Sequence, residues 1–243
     1  MGLIDLGRKV LPTAVKRVLS PLMPRKIEEA RSYVGTDEIS GHLQFELLKR
    51  QGCTPASKVL EVGCGSLHAS LPVIQYLEKG NYVGLDPNVW LRKTAMKDRN
   101  VRRLVKEKRA RFLTVSDFDA SRLDVQFDYV FSHSILSHCA HWQLEQFLQN
   151  IAKVLAVKGR VLASIRLAEG NPFGSAGTED REDSKHETWQ YPGVTWFKLS
   201  TVIETADKQG LMALHIPEYT EFYTQTRPNE YHDWFVFSWK PSR

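Results

Sequence analysis

The sequence is short of cysteine and of long apolar runs. Only three of its 243 residues are cysteine: Cys53, Cys64 and Cys139. An odd set without CxxC spacing suggests neither a disulfide framework nor a zinc site. No other metal ligand set stands out. Free thiols suit a reducing compartment, so the expected location is the cytoplasm. No apolar stretch approaches the roughly 18 residues needed to span a bilayer. The first residues show neither a signal-peptide apolar core nor a small-residue cleavage site. Met1-Gly2 opens the chain, but Leu6 stands where a myristoylation signal has Ser or Thr. Repeats and low-complexity tracts are absent as well.

What is present is an ordinary globular composition, 42% hydrophobic, 10% aromatic and 25% charged. The net charge is +5, which invites a nucleic-acid reading until the charge is placed. Residues 88–111 carry +8 and residues 1–31 carry +4, which leaves −7 on the rest. The chain is an acidic body with two basic pieces. In residues 3–23 apolar side chains recur at roughly helical spacing, with Arg8, Lys9, Lys16 and Arg17 between them. Two readings stand: a helical cover on the domain, or a basic amphipathic helix in weak contact with an anionic membrane. The second would make a cytoplasmic protein peripheral to the membrane.

From position 58 onward strand-like and helix-like segments alternate at a spacing near 30 residues, which predicts a parallel sheet with helices on both faces. Strands are expected at 59–62, 82–85, 112–115, 127–131 and 161–165. One basic helix should follow Asn88, and an amphipathic helix should run from Gln143 to Val157, closed by Lys158-Gly159. Pro72 is tolerated only in a first turn, so the helix after the first strand should start near Ser70. Residues 167–198 lack periodicity and read as a lid-like insertion. Two further β-rich runs lie at 211–216 and 232–239. Residues 1–50 are expected to form an N-terminal helical cover, and residues 51–243 the main domain.

Gly63 and Gly65 follow the first strand, where glycines let a ligand approach the backbone. GxGxxG fails because position 68 is His68, and no Gly-Lys-Ser/Thr ending supports a Walker loop. The acids fit better. Glu61, just before the glycines, can face a cationic amino group. Asp86, ending the second strand, can accept both hydroxyls of a ribose. Asp117 beside Phe118 can bind an adenine amino group and cover its face. A ligand with an amino-acid end, a ribose and an adenine is S-adenosylmethionine.

Together the segments VLEVGCGS (59–66), YVGLDPN (82–88), SDFD (116–119), FDYVFSHSILSH (127–138) and VLAVKGRVLASI (154–165) resemble the class I S-adenosylmethionine-dependent methyltransferases. The lead-in at 41–49 and the Ser-Ile-Leu-Ser-His run are similar to bacterial enzymes acting on small molecules or glycans. The resemblance implies an α/β, Rossmann-like fold: a seven-stranded, mostly parallel sheet whose last strands form an antiparallel hairpin. It also implies cofactor contacts from Glu61, Gly63, Gly65, Ser66, Asp86, Asp117, Phe118 and Ser132. Leu67 departs from the family, which has a third glycine there, and predicts a wider turn.

Methyl transfer to a hydroxyl needs a base, and the candidates are His133, His138 and His186. Trp189, Tyr191 and Trp196 are candidates for an aromatic acceptor wall. The expected reaction is methyl transfer to a small-molecule or glycan acceptor, at oxygen rather than nitrogen. One alternative is an RNA or DNA methyltransferase tracking phosphates with the basic helix 92–111. No Asn/Asp-Pro-Pro-Tyr/Phe motif follows the fourth strand, and a solvated face accounts for the helix equally. Another alternative is a non-catalytic, cofactor-binding partner subunit.

Overall fold

The structure, a computed structural model, describes residues 38–169, 173–174, 194–228 and 231–241. His186, Trp189, Tyr191, the basic segment 1–31 and most of the insertion lie outside the described residues. In chain order the elements are α1 (Glu38–Arg50), β1 (Val59–Val62), α2 (Leu71–Tyr76), β2 (Tyr82–Leu85), α3 (Val89–Ala95), α4 (Arg99–Lys108), β3 (Arg111–Leu113), β4 (Phe127–Ser132), α5 (His141–Ala152) and β5 (Leu155–Ile165). They continue with β6 (Phe173–Gly174), β7 (Val194–Thr195), α6 (Leu199–Lys208), β8 (Leu211–His215), α7 (Pro217–Thr226) and β9 (Asp233–Trp239).

Seven strands form one sheet in the order β3-β2-β1-β4-β5-β9-β8. The first five are parallel, and β9 runs antiparallel to both β5 and β8. This is the expected α/β architecture with its closing hairpin. Chain order reverses between β1 and β4, and a crevice opens at the strand C-termini of such a switch point. Period-two alternation splits β1 between two cores. Leu60 and Val62 join Phe127, Val130, Phe147 and Phe235 on one face. Val59 joins Tyr82, Phe131, Leu162 and Trp234 on the other, and Glu61 shares that face. No described helix is long and apolar enough to cross a membrane.

Several expectations need correction. The basic stretch is two helices, because Asp98 caps α4: its Oδ1 accepts from the Asn100 and Val101 N–H groups. The helix expected to reach Val157 stops at Ala152, and Lys158-Gly159 lies inside β5. A Cβ on Gly159 would sit 2.7 Å from Leu155 Cδ1 and 2.9 Å from the Phe127 carbonyl oxygen, so the glycine serves strand packing rather than a helix end. The third strand is shorter than expected, Arg111–Leu113. An unforeseen helix, α7, connects the hairpin strands and buries Tyr219, Thr220 and Tyr223. The two ends of the insertion meet at a Leu167–Phe197 bridge, and β6 pairs with β7.

Candidate active site

The chain leaves β1 through Gly63 (φ 87°), Gly65 (φ 44°) and Leu67 (φ 63°). The loop is tied to the next strand, with Gly63 N–H donating to the Leu85 carbonyl at 2.7 Å and Gly65 N–H to Asp86 Oδ2 at 2.9 Å. A Cβ on Gly63 would lie 2.2 Å from Ile135 Cδ1. Leu67 takes up the left-handed conformation that a third glycine would supply, so the turn is not opened by its side chain. The strain costs about 1–2 kcal/mol. Burial of the side chain, 1% exposed, offsets this by about 1.5–3 kcal/mol.

Glu61 is 3% exposed, and its Oε2 accepts from the Tyr82 hydroxyl at 2.6 Å. Burial pushes its carboxyl up to about 7, against the opposing pull of the Tyr82 hydrogen bond. Asp86 is also buried, and both of its oxygens already serve the backbone: Oδ2 holds Gly65 and Oδ1 accepts from Asn88 N–H at 2.7 Å. Each oxygen keeps a second lone-pair direction. Asp117 is different. It is exposed, its Oδ1 accepts from Asp119 N–H in a tight turn, and its carbonyl oxygen accepts from Asn150 Nδ2. The neighbouring Phe118 (φ 64°) points inward, edge-to-face with Phe147 at 5.6 Å.

His133 and His138 follow β4. Gln44 Nε2 donates to His133 Nδ1 at 3.0 Å. An amide nitrogen only donates, so Nδ1 accepts and the neutral ring carries its proton on Nε2. The ring stacks on Trp234 (5.5 Å, 12°) and touches Tyr223 and His232. Burial, aided by the Arg227 charge, lowers its pKa to about 3. His138 ends a 3-10 turn and is partly exposed.

A cavity of about 420 Å³ gathers these groups. Glu61, Gly63, Gly65, Ser66, Asp86 and Phe118 line it, and so do His133 and His138. Two site expectations fall away from it. Asp117 is turned outward by its own turn, and Ser132, the last residue of β4, is wholly buried beyond the wall. Gln44 and Gln143 are among the lining residues that the sequence reading did not assign. Gln44 comes from α1, which approaches the glycine loop so closely that a Cβ on Gly41 would sit 2.7 Å from the Ala69 carbonyl oxygen. Gln143 comes from the first turn of α5, where its Oε1 accepts from Ala140 N–H. Backbone strain marks the same place. Of the five described non-glycine residues with positive φ, Leu67, Phe118 and Ser134 line the cavity.

Residues 60–161 match the model of a methyltransferase domain family. The fold matches solved methyltransferases at low sequence identity. Magnesium protoporphyrin IX methyltransferase from Synechocystis, solved with bound S-adenosylmethionine, is 15% identical with a TM-score of 0.55, covering 94% of this chain and 92% of that one. The glycopeptide N-methyltransferase MtfA, solved with sinefungin, is 12% identical with a TM-score of 0.60, covering 84% and 95%. A candidate O-methyltransferase from Nostoc punctiforme is 17% identical with a TM-score of 0.56; 87% of this chain is covered, and the chain spans 59% of that protein's length.

The sheet order and the glycine loop are those of a Rossmann-like α/β architecture, and residues 60–161 carry the methyltransferase-domain match. S-adenosylmethionine, the donor bound in one of these solved structures, is the group against which the cavity can be tested. The cavity fits that group. Gly63 and Gly65 line it without side chains of their own, and among the described residues the buried Glu61 carboxyl has no cation beside it and the buried Ser66 hydroxyl no hydrogen-bond partner.

Proposed function

We propose that this enzyme methylates an oxygen of a small-molecule or glycan acceptor. The observation that carries the reading is continuity: one cavity runs from Glu61, the glycine loop and Asp86 to His133 and His138. Glu61 would take the cofactor's amino group, and the free lone pairs of Asp86 its ribose hydroxyls. Phe118 would cover the adenine, and Ser66 would complete the polar contacts. When bound, the cofactor supplies a methyl group activated on a sulfonium.

The protein's remaining task is alignment and proton removal. A hydroxyl must lose its proton as the methyl arrives. His133 is a weak base, because burial and Arg227 oppose its protonation. The base role therefore goes to His138, partly exposed on the same wall. Relatives of this fold include an N-methyltransferase and a candidate O-methyltransferase. The preference for oxygen rests on the histidines.

The test is methyl transfer from labelled S-adenosylmethionine to a panel of hydroxylated small molecules and sugars, with product analysis. Asp86→Ala should weaken cofactor binding at least tenfold by calorimetry. His138→Ala should keep cofactor affinity within twofold and lower kcat by ~10²-fold or more. N-methyl products, or a His138→Ala enzyme with wild-type kcat, would sink the oxygen reading. Wild-type cofactor affinity in Asp86→Ala would sink the assignment of Asp86.

A further inference from the structure

Beside the cavity, at the ends of β5 and β9, lies a group of basic side chains that the donor site does not use. The β5–β9 ladder ends with Ile165 opposite Asp233, so continuation of the antiparallel register sets Arg166 opposite His232. His133 joins them from the end of β4, its ring centroid 4.9 Å from that of His232. The three side chains share a defect. His133 Nε2, His232 Nδ1 and Arg166 Nε are all buried, and none has a hydrogen-bond partner among the described residues.

Two of these atoms are donors by necessity. His133 Nε2 carries its proton because Nδ1 accepts from Gln44, and a guanidinium Nε–H only donates. Buried donors without acceptors are costly and rare in folded proteins. Among the described residues no acid compensates them. Asp233 faces elsewhere, with its Oδ2 accepting from Leu167 N–H and its Oδ1 held by His215 and Tyr231. Burial holds His232 in its neutral form, and the Arg166 guanidinium opposes its protonation further. Arg227 adds a further positive charge near His133. Arg166 is partly exposed, and its guanidinium lies over the Trp196 ring at 5.8 Å.

Neighbouring buried donors without acceptors among the described residues, beside a guanidinium charge, form a receptor for anionic oxygen. We infer that Arg166, His232 and His133 bind a carboxylate or phosphate group of the methyl acceptor, and thereby hold it beside the donor cavity. This rests on the methyltransferase reading for its purpose but not for its binding. The acceptor class narrows to hydroxylated molecules that also carry an acid group.

Three probes of one shape test it: benzoate, phenyl phosphate and the neutral benzamide. Each is titrated by calorimetry into the full chain, with and without saturating S-adenosylhomocysteine. Benzoate or phenyl phosphate should bind at least tenfold more tightly than benzamide, and the tighter of the two names the acid group. Arg166→Gln should weaken the anion at least tenfold while keeping S-adenosylhomocysteine affinity within twofold, and Arg166→Lys should recover part of the loss. His232→Gln checks the second partner and should also weaken the anion. Equal binding of benzamide, no anion binding, or unchanged affinity in Arg166→Gln overturns the inference. So does anion binding that disappears when S-adenosylhomocysteine is saturating, since the anion would then be the cofactor's own carboxylate. Failure of S-adenosylhomocysteine to bind at all would overturn the methyltransferase reading instead, and the titrations without it would still report on the anion.

Discussion

At the scale of single residues, Glu61 joins sequence, burial and ligand most directly. The strand pleat places it inside the sheet rather than on its surface, and burial pushes its carboxyl up to about 7. A cation delivered beside it would reverse that shift, because an opposite charge favours the carboxylate. Cofactor binding should therefore expel a proton from Glu61. Calorimetry in buffers of different ionisation enthalpy should show release of close to one proton at pH 6 and almost none at pH 8.5. A pH-independent proton count would show that Glu61 does not meet the amino group. Its place before two glycines singled it out in the sequence, and it lines the cavity. Gln44 was not singled out, since its partner His133 is 89 residues away in sequence and only the fold brings them together. Asp117 shows a related ambiguity. A short acid after a strand can bind a ligand or close its own turn, and here its Oδ1 accepts from the Asp119 N–H.

At the scale of elements, what was readable were segments whose pattern has one physical solution. β1, β2 and β4 are short runs of β-branched and aromatic residues ended by turn residues, and they appear where expected. The α7 segment, PEYTEFYTQT, is rich in Thr and Tyr and does not advertise a helix. Its helix is secured by tertiary packing of Tyr219 and Tyr223 under the sheet. The split of the basic stretch turns on a cap. Asp98 opens α4 by accepting two backbone N–H groups, and exposed charges cover the rest of that helix. Asp98→Ala should destabilise the protein by about 1 kcal/mol. The urea midpoint should fall accordingly, while S-adenosylhomocysteine affinity stays within twofold because the cap lies off the cavity wall. No change in the midpoint would mean that α4 is held by Val101 and Val105 alone.

At the scale of the whole molecule, the basic charge separates from the functional interior. Lys97, Arg99, Arg102, Arg103 and Lys106 are exposed, whereas the cavity and its flank concentrate buried titratable groups of opposite tendency. Those groups set how stability depends on pH. His133, His232 and His141 all have folded pKa values lowered, chiefly by burial. Unfolding lets each take up a proton, so their contribution is present above the unfolded value near 6.5 and is lost as pH falls below it. Glu61 is raised from 4.5 to about 7. Its contribution is full below 4.5 and is lost as pH rises toward 7, so between pH 5 and 6 it opposes the histidines. The histidines outnumber it, and stability should rise with pH across that window. Glu61→Gln removes the opposing proton while preserving shape and an acceptor for the Tyr82 hydroxyl. The unfolding free energy of this variant, from urea titrations at pH 5.0, 5.5 and 6.0, should climb more steeply than that of the wild type by about one proton, ~1.4 kcal/mol per pH unit. Parallel curves would mean that Glu61 is already ionised in the folded protein, and that a cation beside it, rather than the cofactor, already occupies its place.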